Sequence, residues 1–331
     1  MAAKKSSKVS KPKSSKAPAK RKGSPKVQNQ QASGFSDLEG FLVKGISKHS
    51  NSPKSASHIL SELLYNITPS MRGLGYLSGF RAGLKLSSSH NPTNTIHPLV
   101  AALENAGFSR ILYHPDKHSV VIRAHHHPDC ESGAKKQVHV FEAGLIAGYL
   151  TESTHMTLRA IENRCVHEGG SVCQFLAERD VEMGQVSAFE GMDEMIDALI
   201  LAIGRRKIDS RISDGYFALQ MLPLTKGPIN SELSKLFYVI GERVASKTPK
   251  ITEHTAQNLC ALFGLRKIKL EKGRRGISGI SATFAQSNSL SGYAELVSSF
   301  LSGMLYQKYG KVASTERRLG ADGSYTLEVA I

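Results

Sequence analysis

The sequence predicts an α+β protein of two related units, each an antiparallel sheet packed with helices. Three observations carry that expectation. The chain has 331 residues, a length that suits two domains. Apolar residues recur at three- and four-residue spacing in some segments and alternate in others, so helical and strand periods coexist. The order of these segments also runs through the chain twice, with short matching phrases at corresponding places.

The N-terminal stretch stands apart from both units. Its basic residues are Lys4, Lys5, Lys8, Lys11, Lys13, Lys16, Lys20, Arg21, Lys22 and Lys26, and no acid accompanies them before residue 32. The formal net charge of +15 is therefore concentrated in a tail, and the remaining residues carry 33 basic and 28 acidic side chains. With almost nothing to bury, residues 1–33 are expected to be disordered. Their Lys/Ala/Pro/Ser texture, as in SSKAPAKRKGSPK, is compositionally similar to linker-histone tails. Such a tail suits phosphate contacts without base readout, although acidic lipid or a polyanionic protein would attract it equally. A merely solubilising tail is the bland alternative.

In each unit a first helix is expected at Ile59 to Leu86 and at Glu232 to Ala245, from the three- and four-residue apolar spacing. Tyr76, Gly79 and Arg81 in YLSGFR match Tyr238, Gly241 and Arg243 in YVIGER, an offset of 162. A second helix follows at His97 to Ala106 and Glu253 to Phe263, ended by Gly107 and Gly264 as C-terminal caps. Alternation then predicts a hairpin of Ser109 to His114 with His118 to Arg123, and another of Leu265 to Leu270 with Ser278 to Phe284 across KGRRG. Phe141 to His155 reads as a third helix whose small residues permit close packing, set against Tyr293 to Ser302 at an offset of 152. A last strand is placed at Ser171 to Leu176 and Ser324 to Ala330, and a helix at Met192 to Ala202 lies between the units. The expected division is a tail (1–33), a first domain (34–178), a connector (179–230) and a second domain (231–331).

His139, Glu162, Cys165 and Cys173 form the densest set of metal-ligand types. Imidazole, carboxylate and thiolate together suit tetrahedral zinc, and E-x2-C-x7-C places two donors before a glycine turn and one on the returning strand. The competing reading is two buried thiols, a surface carboxylate and a strand histidine that never meet. The segment AHHHPDC, His125 to Cys130 with its neighbours, reads better as a polar loop, with Cys130 as a substitute ligand for His139. Cys260, on an apolar helical face, reads as core.

The helix pattern Gly144-x3-Gly148 followed by Glu162, Cys165, Cys173 and Phe175 resembles the signature of 4-vinyl reductase-type domains. That family is related in fold to Golgi-transport TRAPP subunits and haem nitric-oxide sensors. The resemblance implies zinc held by Glu162, Cys165 and Cys173, with His139 at the place of the family's first cysteine. It also implies an apolar pocket for a small aromatic, hydrocarbon or tetrapyrrole-like ligand, with Leu77, Phe80, Leu84, Leu145 and Tyr149 on the helices that would line it; ordinary core is the alternative for each. The second unit has Ser291, Ser314, Arg317 and Tyr325 near the ligand positions and is expected to bind no zinc.

No G-x-S-x-G elbow, phosphate-binding GxxxxGK[ST] or dinucleotide GxGxxG after a strand occurs. A four-ligand zinc has no open position for an activated water. The expectation is a non-catalytic ligand-binding or sensor protein carrying zinc, with reductase action on a tetrapyrrole vinyl group a weaker alternative. A DNA-associated architectural or regulatory protein acting through the tail is the second reading. No run reaches the length of a membrane span and no signal-peptide pattern follows the tail, so a cytoplasmic location, with nucleoid association as a variant of it, is expected. The two units are expected to pair within the chain or through a homo-oligomer.

Overall fold

The computed structural model describes residues 38–40, 42–43, 60–89, 96–116, 119–126, 139–166, 172–180, 220–248, 250–265, 267–273, 276–284, 291–320 and 325–331. The basic tail, Cys130 and the connector helix expected at Met192 to Ala202 lie outside these residues.

The first unit runs α1 (Pro69–Ser88), α2 (His97–Asn105), β1 (Phe108–Pro115), β2 (Ser119–His126), α3 (Val140–Thr154), β3 (Leu158–Arg164) and β4 (Cys173–Arg179). The second runs α4 (Gly227–Lys247), α5 (Glu253–Leu262), β5 (Lys267–Gly273), β6 (Gly276–Phe284), α6 (Ser291–Tyr309), β7 (Ser314–Leu319) and β8 (Tyr325–Ala330). Each sheet is four-stranded and antiparallel, ordered β1-β2-β4-β3 and β5-β6-β8-β7. The α+β architecture of two related units is therefore present, with one strand more per unit than the sequence pattern suggests.

The added strands are β3 and β7. In β3, Leu158, Ala160 and Glu162 face inward while Arg159, Ile161 and Asn163 face out. A buried glutamate and an exposed isoleucine blur the alternation, which is why the segment does not read as a strand. The first expected helix also divides. Residues 60–65 are helical, the chain turns at 66–68, and α1 begins at Pro69 with the Thr68 side chain accepting from the Met71 N–H. Proline at the first helical position has no N–H to lose and sets the helical φ, so the apolar period continues across a break.

Each unit is built on a pair of helices in backbone contact. A Cβ added at Gly79 or Gly83 of α1 would stand 2.0 or 2.1 Å from the carbonyl oxygens of Phe141 or Leu145 on α3. Reciprocally, one at Gly144 or Gly148 would stand 2.0 or 1.9 Å from those of Tyr76 or Phe80. In the second unit Gly241 meets the Phe300 carbonyl and Gly303 the Tyr238 carbonyl in the same way. The equivalence of Gly144 with Gly303 and of Phe141 with Phe300 corrects the register inferred from sequence for this helix: the offset is 159, not 152, and Ser298 rather than Ser291 stands opposite His139. Small residues obscure the register because they leave few distinctive apolar positions to align.

The units grip one another. Leu38 and Leu42, ahead of the first unit, are buried, and Glu39 beside them pairs with Lys247 and Arg243 of α4 at 2.5 and 3.3 Å. In return Gln220, just before α4, is buried against the first unit, where Ser61 donates to its side chain at 2.9 Å and the Tyr65 hydroxyl to its carbonyl.

Candidate functional site

Four donors converge in the first unit, and each is placed by a different feature of the chain. His139 caps the start of α3, Glu162 faces inward from β3, Cys165 follows the end of β3 and Cys173 opens β4. All four are buried, and their donor atoms lie within 4.8 Å of one another. His139 Nδ1 is 2.7 Å from Glu162 Oε1 and 3.8 Å from each cysteine Sγ, and the two sulfurs are 4.0 Å apart. Zinc bonds of 2.0 to 2.3 Å imply donor separations of about 3.3 to 3.8 Å in a tetrahedron. The sulfur edges are already close to that, and the shorter imidazole–carboxylate edge is a hydrogen bond. The cluster can hold a metal ion.

The charges in the cluster are interdependent. Burial works against a charged His139, yet the Glu162 carboxylate and the Cys173 sulfur outweigh it and hold its pKa well above the ordinary histidine range. Burial alone would raise Glu162, but His139 holds it below the usual carboxylate range. The hydrogen bond between the sulfurs, which share a proton, pushes the Cys165 thiol up and brings Cys173 down. Phe108 and Phe175 close over the histidine, with ring centroids at 5.0 and 6.3 Å. A buried carboxylate and thiolate need a cationic partner, which His139 supplies here and a divalent ion would supply more strongly.

A second buried polar group adjoins the first. The Val140 N–H, directly after His139, donates to Glu62 at 2.6 Å. The Gln220 amide donates to Glu62 at 3.1 Å and to Glu142 at 2.8 Å. Burial, then the charge of Glu142, pushes Glu62 well above the usual carboxylate range. Sequence reasoning misses this group. Its only local signal is a glutamate in each of two otherwise uncharged runs, ILSELLY and VFEAGLIAGYL.

A cavity of about 610 Å³ opens between α1, the start of α3 and the edge strand β3. Its wall includes Tyr76, Leu77, Ala143, Arg72, Arg159 and Ile161, together with His139 and Glu162 of the cluster. Tyr76 crosses it, its hydroxyl accepting from the Ala160 N–H at 3.0 Å. Of the residues expected to line a pocket, only Leu77 does so. Phe80, Leu145 and Tyr149 are buried in the core, and Leu84 packs half-buried against it. The expected positions lie along the helix pair, but the backbones touch there and leave no space, so the cavity forms beyond the seam, at the sheet edge. Cys260 is half-buried against the core.

No helix among the described residues is long and apolar enough to cross a membrane. No curated protein matches the chain. Residues 119–179, which run from β2 through β4 and include all four clustered donors, match the family model of the 4-vinyl reductase domain, so the first unit is of the 4-vinyl reductase-domain type.

Proposed function

We propose that the first unit is a receptor for a small, largely apolar or aromatic molecule, and that zinc in the His139, Glu162, Cys165 and Cys173 cluster braces its site. The observation that carries this reading is the shared wall: the cavity is lined by two of the four candidate metal ligands, in a unit whose family is one of small-ligand domains. Its volume falls within the range of small-molecule pockets. Leu77, Ala143 and Ile161 supply apolar contact, and Arg72, Arg159 and the Tyr76 hydroxyl offer a few polar contacts to orient a ligand.

Zinc bound by all four side chains has no vacant position, so the metal's contribution is structural and the protein is a sensor or carrier rather than an enzyme. The chain's own residues do the rest: His139 ties the start of α3 to β3 through Glu162, and β3 forms the cavity edge. Gly73 provides the test. It lines the cavity, and a Cβ there meets nothing within 4 Å, so Gly73→Phe fills the space without disturbing the helix pair. Titration with a panel of phenols and alkylbenzenes, followed by calorimetry, should give saturable binding to the wild type and loss of about tenfold or more in affinity in Gly73→Phe. Equal binding by the two proteins would refute the assignment of this cavity.

A second reading concerns the tail, and the observation favouring it is ten cations without an acid in the first 31 residues. The tail then tethers the protein to a polyanion such as nucleic acid, in the cytoplasm or at the nucleoid. Deleting residues 1–33 should abolish salt-sensitive DNA binding and leave binding in the cavity unchanged; retained DNA binding would exclude the tail as its source.

A further inference from the structure

We propose that the second unit carries a site of its own, a cavity for a phosphate-bearing anion at the far end of its sheet. This cavity, about 430 Å³, lies where three elements meet: the start of α5, the tip of the β5–β6 hairpin and the end of α6. Each contributes a lysine, Lys250 just before α5, Lys272 at the end of β5 and Lys308 near the end of α6. No acidic residue is among the described residues that line it. Three ammonium groups around one space repel one another, and a bound anion is the partner that relieves the repulsion.

The surroundings favour the same ligand. The Lys308 ammonium donates to the Thr248 carbonyl, which fixes it at the cavity wall. The neighbouring acid on β5, Glu271, leans elsewhere: its carboxylate lies over Gly279, 2.8 Å from where a Cβ would stand. Thr252 caps α5, accepting from the Thr255 N–H, so the positive end of a ten-residue helix borders the space. Gly273 pairs with Gly276 across the hairpin, and the two residues between them in sequence are Arg274 and Arg275. Ile251 and Tyr309 give the cavity an apolar side against which the organic part of a phosphate ester can rest.

The first unit lacks this chemistry. The matching end of its hairpin carries Pro115 and Asp116, where Asp116 N–H donates to Ser119 at 2.8 Å, and Tyr149 of α3 stands where α6 has Lys308. The basic cluster is thus particular to the unit without the metal donors.

The test is calorimetric titration of the full chain with sodium pyrophosphate at about 0.15 M salt, comparing the wild type with the double variant Lys250→Ala, Lys272→Ala. Both lysines are exposed, so the fold should hold, and the charge-preserving pair Lys250→Arg, Lys272→Arg checks that it does. The expected result is one pyrophosphate per chain, weakened at least about tenfold in the alanine variant and retained in the arginine variant. Unchanged affinity in the alanine variant, or no saturable binding to the wild type, overturns the proposal. Competition against bound pyrophosphate then separates the sources of the phosphate: ADP displacing it identifies a free phosphate ester, and duplex DNA displacing it identifies a strand backbone.

Discussion

The two units share strand order and the glycine contacts of their helix pairs, yet they fill their centres differently. The first places His139, Glu162, Cys165 and Cys173 at the junction of α3, β3 and β4, with Glu62, Glu142 and Gln220 buried alongside. The second fills its centre with aromatic rings: Phe263 packs on Phe300 at 4.9 Å and on Phe237 at 6.3 Å, and Phe284 on Tyr293 at 5.8 Å. Where Glu62 stands in the first unit, an offset of 162 brings Leu224 in the second. This architecture can therefore form around rings alone. Buried polar groups cost stability unless each is paired, so the first unit keeps chemistry that the second shows is dispensable for the fold type.

Metal removal should separate the two units most sharply. Structural zinc contributes on the order of 10 kcal/mol to the folding of small metal-dependent domains. Chelation, or Cys173→Ala, should expose α3, β3 and β4 to hydrogen exchange and leave α4, α6 and β8 protected. Equal loss of protection in both units would show that the metal supports the whole chain.

The helix seam should respond alike in both units. Gly144→Val and Gly303→Val each drive a side chain into a carbonyl about 2 Å away, and helix separation should cost roughly 3 kcal/mol or more in each, read as a shift of the denaturation midpoint. A mild effect at one of the two would mean that its helices are less closely seated.

Gln220→Ala tests how the units are joined. The substitution removes donors to Glu62 and Glu142 and the acceptor of Ser61, and should cost about 2 kcal/mol. It should also increase hydrogen exchange in residues 60–65 and at the start of α4. A neutral outcome would show that the buried polar group does not hold the units together.

The smallest effect is expected at Glu39. Partial burial alone would raise its pKa, but Lys247 and Arg243 hold it below the usual carboxylate range. A carboxylate depressed in the folded state contributes stability above its unfolded pKa and loses that contribution as pH falls through its folded value. Glu39→Gln should therefore lower stability slightly at neutral pH, by less than about 1 kcal/mol, and converge with the wild type in acid. A difference that grows on acidification would contradict the pairing.

What can be read from the sequence follows from how local each signal is. Glu162, Cys165 and Cys173 fall within a dozen residues, so their spacing carries the cluster directly. His139 lies on the far side of a helix and is placed only through the family pattern. Glu62 and Gln220 are separated by 158 residues, and nothing in either segment points to the other. The expected pocket residues fail for a steric reason: the glycines that mark the helix pair bring the backbones together and close the space in which a pocket is expected. Lys250, Lys272 and Lys308 each look like a solvated surface charge in sequence, and only the folded chain brings them to one cavity.

Metal chemistry is assigned here to the first unit alone, and metal analysis of the purified full chain under native conditions tests that assignment most directly. The prediction is one zinc per chain in the wild type, lost in Cys173→Ala and retained in Arg317→Ala of the second unit. A folded, metal-free wild type, or zinc that persists in Cys173→Ala, would contradict it.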